Sequence, residues 1–332
     1  MNPVGGDTAE TYEDFGRRQA GRSSPVFRDW ATSVAADPEV LALVDTLPEP
    51  KRQPNLVLAA ARWHGARPGP YDGLRRVLVG RWEAVRETVL ARATQTNEVG
   101  RCAVLLPVLA ALPGPLALLE VGASAGLCLH PDRYSYRYSE GTSIDPSDGP
   151  SPVVLDCAVE GPAPLPAALP EVVWRGGIDL NPLDVRDDDA MRWLETLVWP
   201  EHDDRRDRLR AAVGLAREDP ATLVRGDLND ALPALVDTVP SGATLVVFHS
   251  AVLAYLPDDE RARFAATVRD LPGHWVSNEG PRVLPDLVRA DVPPGSAVGP
   301  APFVLALDGE QVAWAEGHGR AVHWLAPPRL SA

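Results

Sequence analysis

Residues 116–126, LALLEVGASAG, constrain the fold more than any other stretch of the chain. Leu116, Leu118, Leu119 and Val121 form a short, nearly unbroken apolar run, the mark of a strand buried on both faces of a parallel sheet. The run ends in Gly122, Ala123, Ser124, Ala125 and Gly126, all small, so the backbone can turn sharply and a ligand can approach before a helix begins. Strand, tight turn and helix in that order form the place where open α/β sheets hold their ligands.

Glu120, two residues before the first glycine, decides the ligand class. The phosphates of a dinucleotide or nucleotide triphosphate would meet its carboxylate, with no Lys or Arg in the turn to offset the repulsion. S-adenosylmethionine has no phosphate; its protonated amino group and its sulfonium are both attracted by a carboxylate. The stretch resembles motif I of class I methyltransferases, an acidic residue followed by three alternating glycines, with Ser124 in the place of the middle glycine.

A chain of 332 residues holds one large or two ordinary domains. The formal net charge of -14 argues against a nucleic-acid partner, whose phosphates require a positive surface, and against an anionic membrane. The polar, acidic N-terminus and the lack of an apolar run of spanning length point to a cytoplasmic protein. Cys102, Cys128 and Cys157 lie far apart without metal or disulfide spacing, and the seven histidines show no ligand pattern, so no metal site is expected.

Residues 1–112 carry helical signals and form the expected all-helical N-terminal domain, with helices at about 26–34, 38–47, 55–65 and 73–91. Asp37-Pro38 supplies a cap and a first-turn proline. His64, at a helix end, reads as a capping or packing residue. Residues 94–112 open with Thr94, Gln95, Thr96, Asn97, Glu98 and Arg101, then turn apolar; Thr94 or Thr96 is the expected cap, and the polar start is expected to face the site. Residues 113–332 form the second domain. Tyr134, Tyr136 and Tyr138 alternate with polar residues, and SPVVLDCAV follows, which suggests a β-hairpin inserted at about 134–159. Further strands are expected at 171–179, 222–227, 243–250 and 274–279, and helices at 187–199, 203–216 and 257–269. Two strands flanking Asp308-Gly309 make a closing antiparallel hairpin, followed by a last strand at 321–325.

Four strands thus end in polar residues, Glu120, Asp179, Asp227 and His249-Ser250, and should converge at the carboxyl edge of the sheet. The order resembles that of class I methyltransferases. The resemblance implies Asp179 for the ribose hydroxyls, Gly226-Asp227-Leu228 near the adenine, and His249 or Ser250 beside the transferred methyl. The runs QTNEVGR, LLEVGASAGL, GIDLNP, FHSAVLAYL and SNEGP resemble, over almost the whole chain, the bacterial family of uncharacterised proteins filed as domain of unknown function 2332.

The expected fold is therefore α/β, a Rossmann-like sheet of class I methyltransferase type with a C-terminal antiparallel hairpin, preceded by the helical domain. The expected activity is S-adenosylmethionine-dependent methyl transfer to a small molecule. The alternatives are a non-catalytic protein binding S-adenosylmethionine or S-adenosylhomocysteine, and another nucleotide-cofactor α/β enzyme. Glu120, Gly122, Ser124, Gly126, Asp179, Asp227, Leu228 and His249 are expected to bind the cofactor, and Asn97, Glu98, Arg101, Ser250 and Asn278 the substrate. His249, with Glu279 and Tyr255, is the expected catalytic group, since histidine titrates near neutral pH.

Overall fold

The computed structural model describes residues 7–325 except 22, 96 and 140. They divide into two compact units, one of the described residues up to 95 with Asp188–Asp207, the other of Asn97–Asp187 and the described residues from Arg208 onward.

In the first unit, local capping sets the helix starts. α1 (Thr8–Asp14) is capped by Asp7 and runs into a π-helical segment, Phe15–Ala20. α2 (Pro25–Ala35) and α3 (Pro38–Val44) each place a proline directly after the cap: Ser24 Oγ accepts from the Phe27 N–H, and Asp37 from those of Glu39 and Val40. α4 (Pro54–Trp63), α5 (Tyr71–Gly80) and α6 (Trp82–Ala91) follow. The single helix expected over 73–91 is two, because Gly80 weakens the helix by about 1 kcal/mol and Arg81, at φ -135, ends α5 and opens α6. Phe27, Trp30, Leu56, Leu74 and Trp82 share one core with Trp193 of α8 (Asp188–Leu197). Burying each large apolar side chain there stabilises by roughly 1.5–3 kcal/mol. Arg62 ties down the end of α8 by donating to the carbonyls of Thr196 and Val198 at 2.7 and 2.6 Å. His64 packs as expected, its Nε2 2.7 Å from Thr88 Oγ1.

The second unit contains one mixed, mostly parallel sheet. Its strands are β1 (Leu116–Val121), β2 (Ser135–Tyr138), β3 (Ser143–Ile144), β4 (Val154–Glu160), β5 (Val172–Asp179), β6 (Thr222–Arg225), β7 (Thr244–Ser250), β8 (His274–Glu279), β9 (Phe303–Leu307), β10 (Glu310–Ala315) and β11 (Ala321–Trp324). Their order is β3-β2-β4-β11-β10-β9-β8-β7-β1-β5-β6. β1 pairs in parallel with β5 on one side and β7 on the other. From β1 the chain order runs outward to β6 in one direction and to β8 in the other, which makes the β1/β7 boundary a topological switch point. β9 and β10 form the expected antiparallel hairpin across Asp308-Gly309, and β11 continues it.

The remaining helices are α7 (Cys102–Leu109), α9 (Asp203–Glu218), α10 (Leu228–Val236) and α11 (Asp258–Asp270). Leu232 and Leu235 of α10 and Phe264 and Val268 of α11 share a core with Leu119, Val121, Val247 and Trp275 of the sheet. α10 has no counterpart among the sequence expectations. All eight residues of α7 are buried, and Cys102, Cys128 and Cys157 are buried free thiols. No helix among the described residues is long and apolar enough to cross a membrane.

Three further expectations are corrected. The segment at 134–159 is not a hairpin of its two expected strands: β2 and β4 run parallel, while β2 turns back on the short β3. Pairing of β4 with β11 then joins this insertion to the main sheet. The tyrosine alternation does pack on the body, since the hydroxyls of Tyr134, Tyr136 and Tyr138 donate to the carbonyls of Leu127, Pro131 and Ala103. Second, no α-helix follows the glycine turn. Two three-residue 3₁₀ turns stand there, Leu127–Leu129 and Pro131–Arg133. Pro131 biases His130 away from the helical region, so a helix begun at Leu127 has no room to propagate. Third, the cap near residue 94 is Glu98, which accepts from the Gly100 N–H and opens a 3₁₀ turn, Val99–Arg101, ahead of α7. Thr94 instead donates to Gln53 Oε1, and Thr96 lies outside the described residues.

Candidate functional site

The turn after β1 is held by saturating its own donors. Gly122 and Ala123 donate to the Ile178 carbonyl at 2.8 and 3.1 Å, Ser124 to Asp179 Oδ2 at 2.8 Å, Ala125 to Asn97 Oδ1 at 3.3 Å and Gly126 to the Ala123 carbonyl at 2.7 Å. Five consecutive N–H groups are thus taken by protein oxygens. Phosphate-binding turns work by pointing such groups at the anion, so this turn has none to offer. Gly122, at φ +75, is required twice over, because a Cβ there would lie 2.4 Å from Cγ2 of Val252 in the loop after β7.

Glu120 is only 6% exposed, and its Oε2 has no hydrogen-bond partner. Burial pushes its carboxyl well above the usual range; Cys128 and Asp179 add to the rise, and Arg101 opposes it. Ser124 Oγ and Asn97 Nδ2 are also buried without a partner. A buried carboxyl in this condition is costly unless a ligand supplies what the protein omits.

The polar start of residues 97–101 meets the turn as expected. Asn97 bonds Ala125, and the Glu98 carbonyl faces Cys128 Sγ at 3.6 Å. Glu98 Oε1 also lies 3.5 Å from Nη2 of Arg208 on α9, a partner with no sequence signal. Arg101 donates from Nε to the Gly317 carbonyl and from Nη1 to the Ser250 carbonyl, both at 3.0 Å.

Strand register separates the remaining residues. Glu120 pairs with Phe248, and Ser250 with Asn278, so alternation puts Glu120, Ser250 and Asn278 on one face of the sheet. Asn278 is 0% exposed; its Nδ2 donates to Ser250 Oγ at 2.9 Å and its Oδ1 has no partner. His249 and Glu279 fall on the opposite face, where His249 meets Phe264 of α11 edge-on and stacks on Trp275.

This placement sets His249, the expected catalytic group, on the face away from Glu120. The Trp275 indole, a donor only, bonds His249 Nε2 at 3.0 Å, so that nitrogen is the acceptor and Nδ1 carries the proton to Glu279 Oε1 at 2.9 Å. At 0% exposure, with both nitrogens engaged, the ring has no lone pair to offer a substrate proton. Glu279 Oε1 further accepts the N–H groups of Val252 and Leu253, so Glu279 clamps the loop after β7. The missed residue is Trp275; strand alternation puts it on one face with Ser277 and Glu279, but its meeting with His249 is readable only once the β7–β8 register is known. Tyr255 is 69% exposed on that loop and is not brought to Glu120 by any hydrogen bond.

Asp179 is half-buried at the end of β5, its two oxygens accepting from Ser124 and Asn181 N–H groups at 2.8 and 2.7 Å. Asp227 is exposed and caps α10 through the Asn229 N–H. Leu228 packs in the core with Leu232 and Phe264. Among the described residues no group of three or more His, Cys, Asp or Glu is disposed to hold a metal.

No curated protein matches the chain. Over residues 9–324 it matches the family described as an uncharacterized protein conserved in bacteria, DUF2332, and it belongs to that family.

Proposed function

We propose that this chain binds S-adenosylmethionine or its demethylated product at the carboxyl edge of β1, β5 and β7, and acts as a methyltransferase-like enzyme on a small molecule. The observation that carries the reading is Glu120, a buried carboxyl without a partner beside a turn whose N–H groups are all spent. That combination suits a cationic ligand better than a phosphate, which disfavours nicotinamide dinucleotides. Asp179 supports it too: a carboxylate has about four acceptor positions, and two backbone donors leave room for vicinal hydroxyls of a ribose.

When bound, S-adenosylmethionine supplies a methyl group on a positively charged sulfur. The protein's part is then to position the acceptor, with Ser250 and Asn278 presented on the same face as Glu120. The bonding of His249 gives specific weight to a second reading, binding without transfer, because both of its ring nitrogens are engaged on the opposite face. Calorimetric titration of the purified chain with S-adenosylmethionine, S-adenosylhomocysteine and NAD tests the proposal. Saturable binding of either sulfur compound with none of NAD supports it; silence of both at millimolar concentration, or binding of NAD alone, rejects it.

A further inference from the structure

A second cluster of polar side chains lies where β8 begins, at the edge of the parallel strands opposite to the one that carries Glu120. Asp308, in the turn between β9 and β10, holds a left-handed backbone at φ +51, which aspartate tolerates when its side chain bonds locally. Its Oδ1 accepts the Trp275 N–H and its Oδ2 meets His274 Nδ1, both at 2.8 Å. Gly273, at φ +110, lets the chain pass close to β7 just before His274, since a Cβ there would lie 2.3 Å from the Leu245 carbonyl oxygen. His274 and Asp308 line a cavity of about 350 Å³ together with Arg269, from the end of α11, and the apolar side chains of Val268 and Leu271. Arg269 lies over the Trp275 ring, its Cζ 5.1 Å from the centroid, and its Nη1 donates to the Ala265 carbonyl at 3.3 Å. Those contacts fix the stem and leave Nε and Nη2 without a partner among the described residues. His274 Nε2 has none there either, although its side chain is only 14% exposed.

The chemistry of these groups selects the ligand. His274 Nδ1 faces a carboxylate and carries a proton, so Nε2 is the atom open to a ligand, and it becomes a donor when the ring is doubly protonated. Arg269 and an imidazolium at His274 then set two positive charges against the one negative charge of Asp308. The excess of one matches a monoanion, whereas a dianionic phosphate would leave a charge unmatched beside Asp308. Asp270 and Glu310, which follow Arg269 and Gly309 in the chain, are exposed and add no positive charge. A metal ion would find one imidazole nitrogen beside a guanidinium, and no group of three ligating side chains stands among the described residues. The geometry points to a binding site for a small carboxylic acid, its carboxylate held between Nε and Nη2 of Arg269 and Nε2 of His274, its apolar body against Val268 and Leu271. The Nε and Nη2 pair of a guanidinium matches the two oxygens of a carboxylate. A cavity of about 350 Å³ is at the small end of ligand pockets and suits a compact acid. The site lies at the far edge of the sheet from the proposed cofactor and does not depend on it.

The test is calorimetry on the full chain with benzoate, with benzamide, which keeps the ring and loses the charge, and with inorganic phosphate. Benzoate should bind saturably, and benzamide and phosphate each about tenfold or more weaker. Arg269→Met keeps an apolar stem over Trp275 but removes the two donors, and should weaken benzoate by about 10- to 150-fold with little change in the urea unfolding midpoint. His274→Phe fills the same space without a nitrogen and should weaken benzoate by about tenfold or more. The comparison of benzoate with benzamide needs only the wild-type chain, so it decides even if a variant fails to fold. No saturable benzoate binding up to about 10 mM, benzamide within about threefold of benzoate, tighter binding of phosphate, or a folded Arg269→Met chain with wild-type affinity would each overturn the inference.

Discussion

Replacing Glu279 by Ala should unlock the loop after β7, which packs Val252 against Gly122. Oε1 of Glu279 accepts from His249 Nδ1 at 2.9 Å and from the N–H groups of Val252 and Leu253 at 2.9 and 3.0 Å. Removing it strands three donors, each of which costs about 1–3 kcal/mol if it stays buried. Leu253 and His249 are fully buried, whereas Val252 is half-buried and recovers part of its loss from water. The same loop carries Ala251 at φ +58, a conformation that costs a residue with a Cβ roughly 1–2 kcal/mol and persists only while its surroundings enforce it. The expected loss is about 3–5 kcal/mol, or some 6–20 °C in Tm at about 2–4 °C per kcal/mol for a domain of this size. Glu279→Gln keeps a carbonyl for the two backbone donors and should lose only about 1–2 kcal/mol. Urea unfolding followed by tryptophan fluorescence reads both variants. A Glu279→Ala chain within about 0.5 kcal/mol of wild type, inside the range of neutral surface changes, would refute the clamp and return Glu279 to the list of free site groups.

Two other outcomes follow from the geometry. Gly122→Ala would force a Cβ to within 2.4 Å of Val252 Cγ2 at φ +75, and should destabilise by about 1–3 kcal/mol; combining it with Val252→Ala should recover only part, because the backbone strain remains, and full recovery in chemical denaturation would contradict that division. His130 is buried with both ring nitrogens unpartnered, and burial, aided by Arg175, pushes its pKa down to about 3. The unfolded chain therefore binds a proton near pH 6.5 that the folded chain refuses, so His130 erodes stability as pH falls from 6.5 toward 3; a Gln at this position should flatten that slope, and an unchanged pH profile would show that His130 does not titrate differently on folding.

The central strands were legible because β1 and β7 are buried on both faces, so nearly every residue is apolar and no alternation confuses the reading. Asp308-Gly309 announced the closing hairpin, and the polar strand ends announced the edge where ligands are expected. What could not be read is which neighbours strands choose. The parallel pairing of β2 with β4 depends on the route of residues 145–153, which leaves no periodic trace. The surroundings of His249 were hidden for a related reason: strand ends name the residues at an edge, but the pairing of strands sets the neighbours on each face, and it put His249 against Trp275 and Glu120 beside Phe248. His130-Pro131, by contrast, carried the signal against a helix after the glycine turn in plain view.

The most direct test of the account is whether Glu120 gives up a proton when the ligand binds. Burial holds its carboxyl well above the usual range, and a bound ammonium must lower it again, so the group should ionise on binding. Titrating S-adenosylhomocysteine into the chain by calorimetry, in buffers of different ionisation enthalpy and over a series of pH values, measures that proton. The account predicts saturable binding with net proton release from Glu120 on the acid side, lost in Glu120→Gln. Proton uptake there, the same release in both chains, or no binding at all would contradict it.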